Sequence, residues 1–263
     1  MPVAPATYPT NDEALLTSLI NQISAGIINS LQRPPLVRTT FTEVRDGVGN
    51  RRITLRNWPV VSVSSLTVSG NSIPASSAYG QSGYNLTTWD GTNAGNPQEI
   101  ILCGYDFCRG AGNVQIVYQA GYCVQNEAQT VPGSTYQVAP NTPYGSWAQD
   151  DGVTYANGTP LTPVSSAPSV GQYVPPSPFK SSPVLYYQFS VSDASAGVLL
   201  NYSYIPADIE EACIEWVGER YRYRSRIGQT STSQSGIETT AFSLKMPDHI
   251  KLMLQPYRKA IPL

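Results

Sequence analysis

Apolar residues near the start of the chain recur at steps of three and four over residues 11–32. This spacing predicts an amphipathic helix, because such residues share one side of an α-helix. Thr10 and Glu13 have the spacing of an N-terminal capping box, and Pro34 and Pro35 end the segment. The apolar positions are Leu15, Leu16, Leu19, Ile20, Ile23, Ile27 and Leu31.

Two further helices are predicted towards the other end of the chain. The first begins at Pro206, which suits a first helical turn, and ends before Gly228. Residues 229–236 are small and polar and predict a flexible linker. Pro247 and Asp248 begin a last short helix. The apolar face of the longer helix consists of Ile209, Ala212, Cys213, Trp216 and Val217.

The intervening sequence predicts short β-strands separated by turns rich in Gly and Asn. Residues 46–50 are expected to be the turn of a hairpin, and residues 110–113 a second turn. Asn157 and Gly158 carry the strongest hairpin signal. The predicted strands are residues 41–45, 51–56, 62–69, 84–88, 99–102, 114–118, 153–155, 186–191 and 198–204.

A change of composition divides the chain. Residues 123–204 are rich in Gly, Pro, Ser, Thr and Tyr, and without them the strand ending at Tyr122 would lead almost directly into the helix after Ile205. We therefore predict a framework of residues 1–122 and 205–263 and an inserted β-rich module of residues 123–204. The predicted fold class is α+β: an N-terminal helix, a long helix and a short C-terminal helix around a small β-sheet, plus the module.

Composition restricts the possible functions. Charged residues make up 13% of the chain, net charge is -2, and there are 17 tyrosines. Tight binding of nucleic acid through phosphates needs a basic excess, which this chain lacks. No signal peptide and no run of 18 apolar residues are evident, so we expect synthesis in the cytoplasm and no membrane partner. Tyr-rich surfaces with few charges are typical of protein–protein contacts.

The cysteines and the single histidine predict neither a metal site nor a bound cofactor. Cys103, Cys108, Cys123 and Cys213 contain no C-x2-C pair, and His249 is distant in sequence. Four reduced thiols are expected, with a Cys103–Cys108 bridge as the alternative. No nucleophile motif accompanies His249, and the chain is predicted not to be an enzyme.

Two acidic motifs are candidate sites. Asp150 and Asp151, near Trp147 and Tyr155, have the composition of a glycosidase or glycan site. Neighbouring residues of a strand point to opposite faces, however, so a turn before Gly152 is the favoured interpretation. The acidic motif at residues 46–50 lacks the ligands of a calcium loop and is interpreted as a turn.

Eight segments of the framework together form an ordered pattern. They are residues 12–31, 33–36, 46–55, 58–63, 112–122, 206–213, 220–224 and 246–258. In this order they resemble the head–tail connector (adaptor, or head completion) proteins of tailed bacteriophages. The resemblance implies a structural virion protein of the neck, without catalysis, that extends the DNA channel below the portal.

The resemblance also implies the partners. These are other copies of the chain in a homo-oligomeric ring, often of twelve subunits, the portal protein, and a downstream neck or tail protein. Genome DNA would pass through the lumen without sequence-specific binding. In the connector family the C-terminal segment docks on the portal, so residues here are expected to do the same.

The predicted contacts combine that segment with a basic run at the end of the long helix. The run is interpreted as forming salt bridges to a neighbouring subunit or the portal, with a solvated face and a DNA contact as alternatives. The predicted portal or intersubunit contacts are Arg220, Arg222, Arg224, Arg226, Leu244, Met246, Pro247, Ile250, Leu254, Tyr257 and Arg258.

The inserted module has a weaker resemblance of its own. Residues 147–159, 171–173 and 193–204 resemble a small β module that recurs in phage structural proteins. We expect a peripheral β domain on the outside of the ring. The alternative function is a glycan-binding or tail accessory protein that acts through this Tyr-rich module.

Overall fold

The structure is a computed structural model that describes residues 10–33, 36–78, 80–87, 98–178, 184–223, 231–234, 238–241 and 246–258. The chain divides into two compact units. The helical unit comprises Met1–Pro34 and Asp208–Leu263, and the β unit comprises Pro35–Ala207. The predicted boundaries at residues 122 and 205 divide the sequence differently and remain a prediction.

Strands rather than helices dominate the described residues. The α-helices are α1 (Thr10–Leu31), α2 (Ala207–Tyr223) and α3 (Asp248–Leu254). The strands are β1 (Thr39–Gly47), β2 (Arg52–Thr54), β3 (Val60–Val68), β4 (Asn71–Ser72), β5 (Gly83–Leu86), β6 (Glu99–Cys103), β7 (Gly110–Ala120), β8 (Cys123–Thr130), β9 (Gln137–Val138), β10 (Gly145–Tyr155), β11 (Thr162–Pro163), β12 (Gln172–Val174), β13 (Tyr187–Phe189), β14 (Gly197–Pro206), β15 (Ser231–Gln234) and β16 (Glu238–Ala241).

The predicted α+β class with a helical framework is therefore wrong: the protein is mostly β. The framework contributes two sheets of its own to the β unit, in the orders β1-β7-β3-β4 and β2-β6-β5. The predicted hairpin around residues 46–50 does not form, because β1 pairs with β7 and β2 pairs with β6. The predicted turn at residues 110–113 is the start of β7.

These two sheets share one hydrophobic core. Alternate residues of β7 are completely buried, which is the pattern of a central strand with one face on a core. The buried members of the core are Ile53, Leu55, Val60, Leu66, Val68, Ile73, Ile100, Leu102, Phe107, Val114, Ile116, Tyr118 and Ala120.

The rest of the β unit has a second core. Its sheets have the orders β10-β14-β8 and β11-β12-β13-β9. The tight turn predicted at Asn157 and Gly158 is present, since the Gly158 amide donates to the Tyr155 carbonyl (2.8 Å). The buried members of this core are Val131, Val138, Val153, Leu161, Tyr173, Tyr187, Phe189, Val198, Leu200 and Tyr202.

The two ends of the predicted module lie side by side. The Tyr204 amide donates to the Tyr122 carbonyl (3.1 Å), and Cys123 pairs with Ser203 where β8 meets β14. The two hydrophobic cores also fall on either side of residue 122 in sequence. Adjacent ends and a separate core are compatible with the predicted module, whose boundaries remain a prediction.

A glycine marks this junction. Gly121 has φ +142°, a conformation that residues with a side chain rarely adopt. A Cβ atom at this position would lie 2.4 Å from the carbonyl carbon and oxygen of Val37. The close approach of the two backbones therefore requires glycine.

The helical unit is built on the pairing of α1 with α2. The Ser24 hydroxyl lies 3.6 Å from the Cys213 sulfur, and the Tyr221 hydroxyl donates to Asp12 (3.1 Å). The ring of Trp216 packs 3.4 Å from where Gly26 would carry a Cβ atom. Glycine in α1 thus allows close packing of the indole.

The three helices were predicted correctly, and the linker was not. Residues 231–234 and 238–241 pair as the antiparallel strands β15 and β16. Helix α2 begins at Ala207, because Pro206 is the last residue of β14 and the strand passes directly into the helix.

Helix α1 is also long and apolar enough to cross a membrane, by length and composition alone. The segment is Asp12–Leu31, with 20 residues and a mean hydropathy of 1.3. Core helices of soluble proteins and N-terminal signal sequences have the same properties. The expectation of no membrane partner remains a prediction.

Candidate assembly surface and polar clusters

The basic run at the end of α2 is described only in part. Arg220 and Arg222 lie in the last turn, where cations interact favourably with the helix dipole. Arg220 is half-buried and Arg222 is exposed. Arg224, Arg226 and Leu244 lie outside the described residues. The predicted salt bridges to a neighbour or a portal therefore remain a prediction.

Three of the predicted C-terminal contacts lie inside the helical unit. Ile250, Leu254 and Tyr257 are buried. The Tyr257 hydroxyl donates to Asp208 (2.9 Å), and the Arg33 guanidinium donates to the Tyr257 carbonyl (3.4 Å). In the folded chain these residues hold the end of the chain to α1 and α2.

The remaining C-terminal positions are more accessible. Met246 and Pro247 are half-buried, and Arg258 is exposed. These three, and not the buried residues, could contact a partner without rearrangement of the unit. Their contact with the portal or a neighbouring subunit remains a prediction.

The helical unit also exposes large apolar residues that it does not use for its own core. The exposed fractions are 37% for Leu15, 47% for Ile20, 57% for Ile214 and 72% for Leu252. Ile214 and Leu252 were not predicted as surface positions. The available signal was an excess of apolar positions on short helices, which cannot all be buried within one small unit.

A groove of about 540 Å³ lies between the end of α1 and α3. Its charges are those of Lys251 and Arg258, and the Lys251 ammonium also pairs with Asp248 (2.7 Å) at the start of α3. None of the lining residues that the structure describes carries a carboxylate. They are Asn29, Ser30, Leu31, Gln32, Met246, Lys251, Leu252, Leu254, Gln255 and Arg258.

Many tyrosines are buried, although their abundance in the sequence predicts contact surfaces. Seven tyrosines, five of them buried and two half-buried, donate their hydroxyl groups to carboxylates within their own unit. Burial, and next the neighbouring carboxylate, raises the pKa of Tyr118, Tyr173, Tyr187 and Tyr202 well above the ordinary value. The pairs are Tyr118–Glu43, Tyr155–Asp193, Tyr173–Asp150, Tyr187–Asp150, Tyr202–Glu127, Tyr221–Asp12 and Tyr257–Asp208.

The densest of these clusters surrounds Asp150. One carboxylate oxygen accepts from the Tyr173 hydroxyl (2.6 Å). The other accepts from the Tyr187 hydroxyl (3.3 Å) and the Gly152 amide (3.2 Å), and the Trp147 indole donates to Tyr187 (3.1 Å). Burial raises the pKa of Asp150 even though these donors lower it. The cluster ties β10 to β12 and β13.

Asp151 points away from this cluster. It accepts from the Ser203 hydroxyl (2.6 Å) and the Gln149 amide (2.9 Å). The two acids lie within β10, so the predicted turn before Gly152 is wrong, but their divergence onto opposite faces is as expected. Such a pair cannot converge on one glycosidic bond.

A polar pocket of about 260 Å³ lies on the Asp151 side. The Arg38 guanidinium donates to the Gln119 carbonyl oxygen from two nitrogens (3.0 and 2.6 Å). None of the described side chains that line this pocket is aromatic and able to stack against a sugar ring. They are Arg38, Thr39, Thr40, Gln119, Gln149 and Asp151.

The acidic motif at residues 46–50, the histidine and the cysteines were the remaining candidates from the sequence. Asp46 accepts from the Gly112 amide (2.6 Å), which fixes the end of β1 to β7. The His249 imidazole contacts Glu215 (3.1 Å) at the surface. All four cysteines are free thiols. Across the part of the chain that the structure describes, no group of three or more His, Cys, Asp or Glu residues could hold a metal ion.

Solved structures include a chain with low similarity to this one. No protein-family model and no curated protein matches the chain. A chain in a structure described as the neck of an empty GTA particle computed with C6 symmetry has a TM-score of 0.37 and 14% sequence identity. The match covers 100% of this chain and 86% of that chain. These values are too low to assign a fold or a function.

Proposed function

We propose that this protein is a structural component of a virion neck. Copies of the chain form a ring that joins the portal at the capsid vertex to the neck or tail protein below. The ring extends the DNA channel and has no catalytic activity of its own. The chain acts through its shape and its contact surfaces.

The observation that carries the proposal is the uncovered apolar surface of the helical unit. Leu15, Ile20, Ile214 and Leu252 are each more than one third exposed, and they lie on all three α-helices. These side chains are left uncovered by the small unit that carries them, and are therefore available for a protein–protein contact. The ordered resemblance of the framework segments to connector proteins supplies the kind of assembly.

Charge also supports this proposal. A net charge of -2 gives no basic excess with which to hold DNA. A channel wall has to let the genome pass, so weak binding of DNA suits this function. Residues 123–204 would form a peripheral module on the outside of the ring.

The proposal is tested on particles. We expect mass spectrometry to find the protein in purified virions, and negative-stain images of the pure protein to show rings that bind the purified portal. Infection without the gene should yield filled heads separate from tails, and the wild-type gene supplied in trans should restore joined particles. A solitary monomer that is absent from purified particles would refute the proposal.

Truncation of residues 246–258 is not a suitable perturbation. It would remove Ile250, Leu254 and Tyr257, which are buried in the helical unit, and so would damage the fold together with any contact. Substitutions at exposed positions separate the two effects.

A further inference from the structure

We infer that the N-terminal half of α1 in one copy docks in the groove between α1 and α3 of a second copy. The inference rests on the proposed function, because it names the contact by which copies would join. The two surfaces are called the stripe (Leu15, Leu16, Leu19 and Ile20) and the groove.

The stripe is the continuation of a face that is otherwise buried. Ile20, Ile23 and Ile27 follow one another at helical spacing and therefore share a side of α1. Ile23 and Ile27 are buried, whereas Ile20 is 47% exposed. Only 17% of the apolar window Asp12–Leu31 is buried inside this chain. The helix thus presents more apolar surface than its own unit covers.

The groove offers matching chemistry. Leu252, which lines it, is the most exposed large apolar residue among those described, at 72%. Its charged lining residues, Lys251 and Arg258, are both cations. A groove with apolar surface beside positive charge is complementary to a helix that carries both apolar and acidic side chains.

The charge of α1 has the complementary sign. The helix contains no Lys or Arg, and its first turn carries Asp12 and Glu13. Asp12 already accepts a hydrogen bond from Tyr221, and Lys251 already pairs with Asp248, so we assign the contact to the exposed Glu13 and the groove's Arg258. Helices that lie on lipid surfaces are instead usually rich in Lys and Arg, so the stripe does not suit a membrane.

The geometry of α1 requires the occupant of the groove to come from another molecule. Leu15 lies in the second turn of the helix and Ile20 at its middle, whereas Leu31, which lines the groove, is its last residue. At about 1.5 Å per residue, Leu15 and Leu31 are separated by about 24 Å along the axis. A continuous helix cannot fold its own beginning onto its own end.

A contact between two different surfaces has a structural consequence. Each copy keeps one stripe and one groove, so head-to-tail docking continues from copy to copy. Such contacts close into a ring or extend into a filament. A stripe that packed on another stripe would instead give only pairs.

Two sets of substitutions test the inference in the full-length protein. The stripe variant carries Leu15→Gln and Ile20→Gln, and the groove variant carries Leu252→Gln and Arg258→Glu. Because the changed positions are exposed and Gln favours helix, both variants should keep the wild-type circular dichroism and thermal unfolding. The matched control is Leu185→Gln, which removes an exposed leucine of the β unit (62%).

Analytical ultracentrifugation gives the decisive result. We expect wild type and the control to assemble, and each variant alone to be monomeric, with the apparent Kd raised by about 30-fold or more. An equimolar mixture of the two variants should form a 1:1 heterodimer that does not grow, because one intact stripe meets one intact groove. A mixture that stays monomeric, or a stripe variant that still assembles, overturns the inference.

Vesicle flotation and the composition of purified particles distinguish this contact from lipid binding and from the neck function itself. In the flotation assay, wild-type monomer is compared with the stripe variant on phosphatidylcholine–phosphatidylglycerol vesicles. If only wild type floats, and the equimolar mixture of the two variants gives no heterodimer, the stripe binds lipid and the inference fails. If both variants still form rings in purified particles, the inference fails while the proposed function stands. If the heterodimer forms but the protein is absent from particles, the proposed function fails and the contact stands.

Discussion

Replacing Tyr173 with Phe leaves the ring in place but removes the hydroxyl that donates to Asp150 and that also interacts with the Val153 backbone amide. The bond to Asp150 is short (2.6 Å) and joins a hydroxyl to a half-buried carboxylate. Bonds to charged groups contribute about 1.5–3 kcal/mol, and the shortest are the strongest. The other oxygen of Asp150 keeps its donors from Tyr187 and Gly152. We therefore expect a loss of about 2–3 kcal/mol in the local stability of the β10–β14 region.

The loss should depend on pH in a defined direction. Burial raises the pKa of Asp150 above 3.8, and removal of the Tyr173 donor raises it further. An acid with a raised pKa in the folded state contributes stability at low pH, which is lost as pH rises through that pKa. Ionised Asp150 needs the Tyr173 hydroxyl most, so the effect of Tyr173→Phe should be full at pH 7. It should shrink to about 1 kcal/mol once Asp150 is protonated.

Hydrogen exchange measured by mass spectrometry provides the assay. Peptides that cover β10, β12 and β13 report the free energy of local opening, and they can be compared at pH 7 and at pH 4 after correction for intrinsic exchange rates. Tyr204→Phe is the control, because Tyr204 is buried and its hydroxyl donates to no carboxylate among the described residues. Equal losses in the two variants, or a loss for Tyr173→Phe that does not fall with pH, would contradict this account.

Two other predictions concern the junction of the module. Gly121→Ala should lower the free energy of unfolding by at least about 2 kcal/mol, because a Cβ atom at this positive φ would clash with the Val37 carbonyl. Urea denaturation measures this loss, and a loss under about 0.5 kcal/mol would contradict the prediction. Deletion of residues 123–204, with Tyr122 joined to Ile205, should leave a soluble chain that unfolds cooperatively, because the ends of the deleted segment are adjacent and the other core lies outside it. A remaining chain without slow-exchanging amides would show that the module is needed for the fold.

The sequence predicted the helices well because their signals are local. The spacing of apolar residues, an acidic first turn and flanking prolines set α1, α2 and α3 within a few residues. Strand pairing is not local. Thr39 pairs with Ala120, and nothing in the sequence near either residue indicates the other. The fold class was wrong for this reason, since the framework strands form two full sheets and not a small one.

The candidate site was harder to predict because apolar residues recur at the same helical spacing whether they face a core or an interface. Ile250 and Leu254 have the helical spacing of a contact face, and only the folded chain shows that they are buried while Leu252 is exposed. Asp150 and Asp151 illustrate a partial success. Their divergence follows from the alternation of side chains along a strand. Gly152 had indicated a turn, but a β-bulge between Asp150 and Gly152 accommodates this glycine within β10.

The pairs of tyrosine and carboxylate have a consequence for how the protein responds to salt. Each joins a charge to a neutral hydroxyl, and the bonds that are at least half-buried are screened less than two opposite charges at a surface. Concentrated salt should therefore leave each folded subunit intact. The cations of the groove and Glu13 lie at the surface, so the same salt should loosen the attachment of one subunit to the next. Because an exposed ion pair contributes about 0–1 kcal/mol, sodium chloride should raise the apparent Kd of the assembly by up to about fivefold while the subunits stay folded.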